Sequence, residues 1–101
     1  MVVEKVCHRD DLWDGEMLSV EIASRPIILI KIAGAIQAFQ GWCPHQAHPL
    51  AEAEFDGETL TCGAHLWQFE GATGKGINPR HARLRRFEVF IDSEGFVKVT
   101  V

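Results

Sequence analysis

The chain has 101 residues, 47% of them hydrophobic and 24% charged, with a formal net charge of −4. That length bounds it to one domain, the hydrophobic share excludes a disordered chain, and the mild acidic balance gives no support to nucleic-acid binding. The longest apolar run, PIILIKIAGAI, is broken by Lys31 and Gly34, so no membrane span is expected, and the charged opening MVVEKVCHRD does not have the form of a signal peptide.

In chain order, VVEKVC alternates and predicts a first strand, with Val3 and Val6 set against Glu4 and Lys5. HRDDLWDGE is the one helical-looking stretch, with room for about one turn. MLSVEI places Leu18, Val20 and Ile22 on one face, and the uniformly apolar PIILIKI suits a central strand. Ala33, Gly34 and Ala35 make a tight turn into IQAFQ, where Ile36, Ala38 and Gln40 alternate with Gln37 and Phe39. Residues 41–80 break this pattern: they are rich in Gly, Pro, His and Cys, with short strand-like pieces TLTC and LWQF and a hairpin turn at FDGE. FEVFI and FVKVTV then flank DSEG, where Gly95 is free to take positive φ, and Val97, Val99 and Val101 share a face. The expected fold is all-β, an antiparallel sandwich or barrel covering residues 1–101 as a single domain, with a small subdomain inserted at about 41–80. An insert with so few apolar runs needs something besides a core to hold it together.

Two stretches of the insert carry chemistry, GWCPHQAHPL at 41–50 and LTCGAHLWQF at 60–69. The chain has three cysteines, an odd number, so a disulfide framework is not expected, and the isolated Cys7 reads as a small buried side chain. Cys43 and His45 form a Cys-x-His pair, Cys62 and His65 a Cys-x2-His pair, and sixteen residues separate His45 from Cys62. Two loops of hairpins bring such pairs face to face. Three readings compete: a tetrahedral zinc site, a chance clustering of core Cys and His, and a [2Fe–2S] cluster with two cysteines on one iron and two histidines on the other. Structural zinc sites of this size usually begin with closely spaced cysteine pairs, which are missing here, so the iron–sulfur reading leads.

Cys-x-His-x16-Cys-x2-His, with Pro44 inside the first pair, resembles the Rieske iron–sulfur motif. FDGETLTCGAHLWQFEGATGKGINP looks like the second cluster-binding hairpin of that family and the proline-bearing loop that covers the cluster. EKVCHRDDLWDGEM, CPHQ and AHLWQF are most similar to ferredoxins of bacterial toluene- and alkene-type monooxygenase systems. The resemblance implies a Rieske fold with one [2Fe–2S] cluster per chain, Cys43 and Cys62 on the inner iron and His45 and His65 on the outer one. His48 falls outside the motif as a loop histidine beside the cluster, and His8 and His81 have no metal-ligand spacing and are expected to be solvated. Two neutral imidazoles in place of thiolates leave the oxidised site formally uncharged, which raises its potential relative to four-cysteine ferredoxins. Rieske potentials span roughly −150 to +300 mV. The high-potential type has a Ser and a Tyr after the second His and a disulfide clamping the loops. Here the matching residues are Leu66, Trp67, Gln68 and Phe69, and the chain has no Tyr, which points to the low-potential end.

No substrate-binding constellation accompanies this motif: there is no Ser–His–acid set, no phosphate-cradling Gly loop and no two-His-one-carboxylate iron site. The expected role is that of a one-electron carrier rather than an enzyme. It takes electrons from a flavin-containing, NAD(P)H-dependent reductase and delivers them to a di-iron hydrocarbon monooxygenase, as a cytoplasmic monomer. The alternatives are the ferredoxin of a ring-hydroxylating dioxygenase, the small Rieske subunit of a reductase such as nitrite reductase, or a structural zinc-bound binding module. Trp67 reads as a packing residue over the cluster or an aromatic anchor for a partner. Charge is segregated around the insert, with Glu52, Glu54, Asp56 and Glu58 on one side and Lys75, Arg80, Arg83, Arg85 and Arg86 on the other.

Overall fold

The computed structural model describes residues 2–44, 48–63 and 67–101. The chain forms strands β1 (Val3–His8), β2 (Met17–Ile22), β3 (Arg25–Ile32) and β4 (Ala35–Gln40). Four short strands follow, β5 (Glu54–Phe55), β6 (Thr59–Thr61), β7 (Gln68–Glu70) and β8 (Gly76–Asn78), and then β9 (Arg86–Ile91) and β10 (Phe96–Thr100). Among the described residues there is no α-helix, only 3-10 turns at Arg9–Asp11 and Leu50–Glu52. The all-β expectation holds.

Every pairing is antiparallel, in a six-stranded sheet ordered β1-β10-β9-β4-β3-β2 and a four-stranded sheet ordered β5-β6-β7-β8. The large sheet curls, because side chains of both edge strands, Val6 and Cys7 on β1 and Leu18 and Val20 on β2, pack against one core of Ile22, Ile27, Leu29, Ala38, Val97 and Val99. The small sheet packs on the outside of β3 and β4 and makes a second core, with Ile28, Ile30 and Phe39 meeting Leu50, Leu60 and Phe69. Strand β3 therefore has both faces covered. Ile27 and Leu29 point into one core, Ile28 and Ile30 into the other, and all four are 0% exposed. At about 1.5–3 kcal/mol for each fully buried aliphatic side chain, this strand supplies a large share of what joins the two sheets.

The turns follow the sequence chemistry. Ala33 and Gly34 both take positive φ (51° and 82°), as a two-residue hairpin between β3 and β4 requires. In HRDDLWDGE the helical geometry is limited to Arg9–Asp11, and Trp13 just beyond it is 75% exposed. His8 is not simply solvated. Its Nδ1 accepts the Asp10 N–H at 3.1 Å, its Nε2 lies 3.0 Å from the Glu94 carbonyl, and its ring meets Phe96 edge-on at 5.1 Å. A proton on Nε2 satisfies both contacts, so this histidine ties the first strand to the β9–β10 hairpin.

That hairpin depends on a carboxylate. Asp92 Oδ1 accepts the N–H groups of Phe96 and Glu94, each at 2.9 Å, with Lys98 Nζ 3.5 Å from the other oxygen. The bond from Phe96 is the main reason its carboxyl titrates below the usual aspartate range, followed by those from Glu94 and Lys98. A carboxyl depressed in the folded state adds stability above its unfolded pKa and loses it as pH falls through the folded value. Asp92→Ala is therefore expected to be less stable than the parent at pH 6, with the gap narrowing as pH drops towards 3. Denaturant unfolding across that range checks it, and a gap independent of pH refutes it.

Candidate metal centre

The first cysteine sits where the chain leaves β4. Gly41 donates to the Pro26 carbonyl at 2.9 Å, and a Cβ there would lie 2.6 Å from the Pro26 carbonyl carbon, so only glycine lets the chain cross β3 this closely. Leu50 N–H then bonds the Gly41 carbonyl, Trp42 bridges Pro49, and Cys43 N–H bonds the His48 carbonyl at 2.9 Å. The second cysteine directly follows β6. Thr61 pairs Gln68 across the ladder, and Cys62 N–H bonds the Trp67 carbonyl at 2.8 Å. The two sites repeat one pattern: a cysteine opens a loop and its own N–H closes that loop on the carbonyl five residues on. His45 lies inside the first loop and His65 inside the second, and both, with Gln46, Ala47, Ala64 and Leu66, fall outside the described residues.

Cys43 and Cys62 are 2% and 0% exposed and belong to one apolar cluster with Leu50, Leu60, Phe69 and Leu84. Trp67 packs partly buried against this cluster, and its ring also meets His81 edge-on at 6.0 Å. The segment carrying His81 is folded back tightly: Gly76 N–H bonds the Ala82 carbonyl at 2.9 Å, and a Cβ on Gly76 would lie 2.3 Å from the Pro79 carbonyl oxygen. Cys7 is elsewhere, half-buried at the margin of the other core rather than fully buried as its isolated position suggested, because it lies on the edge strand β1. Burial first, and Asp11 second, push its thiol pKa up, with Lys31 partly opposing.

Two side chains join the loops in ways that spacing does not reveal. Gln40 is a buried polar residue whose Nε2 donates to the Trp42 carbonyl and whose Oε1 accepts the Arg85 N–H, both at 2.8 Å. It fastens the entry to the first cysteine loop to the start of β9. The signal was present in IQAFQ, where Gln40 shares a buried face with Ile36 and Ala38 and must find partners there. His48 crosses between the loops: its Nε2 is 3.6 Å from Glu52 Oε2 and 3.8 Å from where a Cβ of Gly63 would stand. In the adjoining β5–β6 turn Asp56 Oδ1 accepts the N–H groups of Thr59 and Glu58 at 2.7 and 2.9 Å, which, Thr59 first, lower its carboxyl pKa.

The donor set can be tested for fit. Among the described residues no three His, Cys, Asp or Glu side chains converge on one point, and there is no disulfide. Two buried cysteines at the mouths of matched loops, in one apolar cluster, suit soft thiolate ligation of a metal group. The two described cysteines fit an iron–sulfur group.

Comparison with known proteins agrees with this chemistry. The profile of the Rieske [2Fe-2S] domain matches residues 2–88. The ferredoxin component of the alkene monooxygenase system of Xanthobacter autotrophicus (strain ATCC BAA-1158 / Py2) is 42% identical over 89 residues, covering 86% of this chain and 72% of that one. The ferredoxin component of biphenyl 2,3-dioxygenase from Rhodococcus jostii (strain RHA1) is 32% identical over 105 residues, covering 96% of this chain and 98% of that one. Among solved structures, a chain from the complex of reduced oxygenase and oxidised ferredoxin in carbazole 1,9a-dioxygenase superposes with a TM-score of 0.85 at 27% identity, over 97% of this chain and 92% of that one.

The ligand assignment makes a direct prediction. Purified protein is expected to be red-brown with about two irons and two sulfides per chain. Cys43→Ser, Cys62→Ser and His65→Ala are expected to lose colour and iron, while Cys7→Ser and His48→Ala keep both. Iron analysis and visible absorption decide it; one zinc in a colourless protein, or colour lost with His48, overturns the assignment.

Proposed function

The chain belongs to the Rieske [2Fe–2S] family, and we propose that it is the ferredoxin of a multicomponent oxygenase, ligating its cluster through Cys43, His45, Cys62 and His65. The observation that carries this is the pair of buried cysteines, each heading a loop closed by its own N–H, in one apolar cluster. When bound, the cluster supplies a site that holds and releases one electron. The chain's own residues do the rest. Leu50, Leu60, Phe69 and Leu84 keep water from the cysteines, Gln40 fastens the entry of the first loop to the start of β9, and Trp67 covers the flank. Residues 41–80 form the cluster-binding subdomain, and the six-stranded sheet is its support.

The 42% identity to an alkene monooxygenase ferredoxin supports delivery to a di-iron hydrocarbon monooxygenase. The full-length match to a biphenyl dioxygenase ferredoxin supports a ring-hydroxylating dioxygenase as the second reading. A flavin-containing reductase upstream, a monomeric state and a cytoplasmic location complete the proposal; no helix among the described residues is long and apolar enough to cross a membrane.

Two experiments test this reading. Electron-transfer contacts are small, often below about 1,200 Å² in total, so one residue can dominate. Ala47→Glu, two residues past His45 and outside the described residues, is expected to slow oxidation of the reduced protein by its oxygenase about tenfold in stopped flow, with the absorption spectrum unchanged. A wild-type rate for this variant, with Glu94→Lys blocking transfer instead, places the docking face elsewhere. For the potential, Phe69 is fully buried in the cysteine cluster. Phe69→Tyr is expected to raise the midpoint by roughly 40 mV, the one-electron equivalent of a hydrogen bond of about 1 kcal/mol to a cysteine sulfur. Voltammetry measures both proteins, and a wild-type value well above zero millivolts refutes the low-potential reading.

A further inference from the structure

The cations of this chain are not spread evenly. Residues 71–87 hold Lys75, Arg80, Arg83, Arg85 and Arg86 and no Asp or Glu, a formal charge of +5. Taking that from the chain's −4 leaves −9 for the remainder.

The fold turns this run into one face. Lys75 and Arg83 are opposed in an antiparallel bridge, an arrangement of like charges that opposes the pairing instead of stabilising it. Backbone bonds hold it rigid, Leu84 N–H to the Gly74 carbonyl and Gly76 N–H to the Ala82 carbonyl, each 2.9 Å. All five side chains are exposed, and among the described residues none of them enters an ion pair. Two adjoining clefts of about 650 and 640 Å³ share Lys75 and Arg83. Arg80 and His81 wall the first, Arg85 and Arg86 the second. Among the described residues lining the clefts the one carboxylate, Glu70, accepts the Thr73 hydroxyl at 2.8 Å. His81 meets Trp67, so the basic face begins at the closing residue of the second cysteine loop.

We propose that this face docks a carboxylate-rich surface of an electron-exchange partner protein, an inference that rests on the carrier function proposed above. Range decides for a protein over a nucleic acid. The molecule measures 39 × 27 × 20 Å, about two to five times the screening length of about 8–10 Å. A compact acidic patch seated on the clefts feels the five cations, while a long polyanion running across the chain meets the −9 of the rest.

The test uses reduced holoprotein and the double variant Arg80→Gln/Arg83→Gln. Two small oxidants read the local potential: hexacyanoferrate(III), a trianion, and tris(phenanthroline)cobalt(III), a trication. At low salt the variant is expected to react roughly three- to tenfold more slowly with the anion and faster with the cation, both differences shrinking at high salt. Poly-L-glutamate is expected to bind the parent and not the variant by titration calorimetry, and a DNA duplex of equal charge is expected to bind neither. Lys75→Gln/Arg86→Gln is the second variant should the first fail to fold. Equal rates in parent and variant, DNA binding as tight as poly-L-glutamate, or salt-sensitive dimers of the parent that the variant does not form each overturn the proposal; the last assigns the face to a second copy of this chain. The calorimetric arm does not depend on iron, so loss of the carrier reading, shown by a colourless protein, is distinguished from loss of the docking face.

Discussion

Two cysteines have to be withdrawn from water at the ends of two separate loops and kept side by side, and the small sheet is organised around that demand. A thiolate pair in an apolar cluster is expensive unless its charge is compensated where it lies. Neither Cys43 nor Cys62 is near solvent, and aliphatic and aromatic residues pack around both. A bound metal group supplies compensation at the sulfurs themselves. The matched closures from Cys43 to His48 and from Cys62 to Trp67 then make sense as a device for presenting two sulfurs without spending a side chain on either loop's shape.

Strand β3 transmits rigidity to that device. Its alternating residues belong to different cores, so the small sheet cannot shift without disturbing packing on the far side of the strand. Gln40 adds a polar link at the exit of β4, and His48 pairs with Glu52 just past the first cysteine loop. The base contributes no chemistry of its own. It holds the loop mouths at a fixed separation, as a ligand site on rigid elements requires.

Much of this was legible in the sequence, and the limits have physical causes. The alternation in MLSVEI and FVKVTV marked strands correctly because one side of each faces a core, whereas VVEKVC forms a strand in which Val3 is exposed and a bulge between Lys5 and Cys7 sets the adjacent Val6 and Cys7 both against the core. PIILIKI was legible as covered on both sides, but not what covers it, because an apolar run does not record its partner. Cys43 and Cys62 stood out through spacing, a local property. His48 pairs locally with Glu52, four residues on, but its approach to Gly63 carried no such signal, since it depends on how the two loops are brought together. His8 was misjudged for the same reason: its partner Glu94 is 86 residues away. The five cations were visible as a run, whereas the opposition of Lys75 and Arg83 needed the fold.

The same cations raise the question of whether they set the redox potential as well as the docking. Magnitudes separate the two roles. A unit charge about 10 Å away through water contributes roughly 0.4 kcal/mol before screening, the equivalent of less than 20 mV for one electron, and salt reduces it further. The −9 carried by the rest of the chain opposes it. A single donor in contact with a cysteine sulfur contributes about twice as much and is hardly screened. The absence of a hydroxyl at Phe69 therefore matters more to the potential than any one surface arginine, while the arginines dominate the encounter with a partner, where long range counts and contact has not yet formed. Keeping the two functions on different residues lets the docking face change with the partner while the buried cysteine cluster, and the potential it sets, stays as it is.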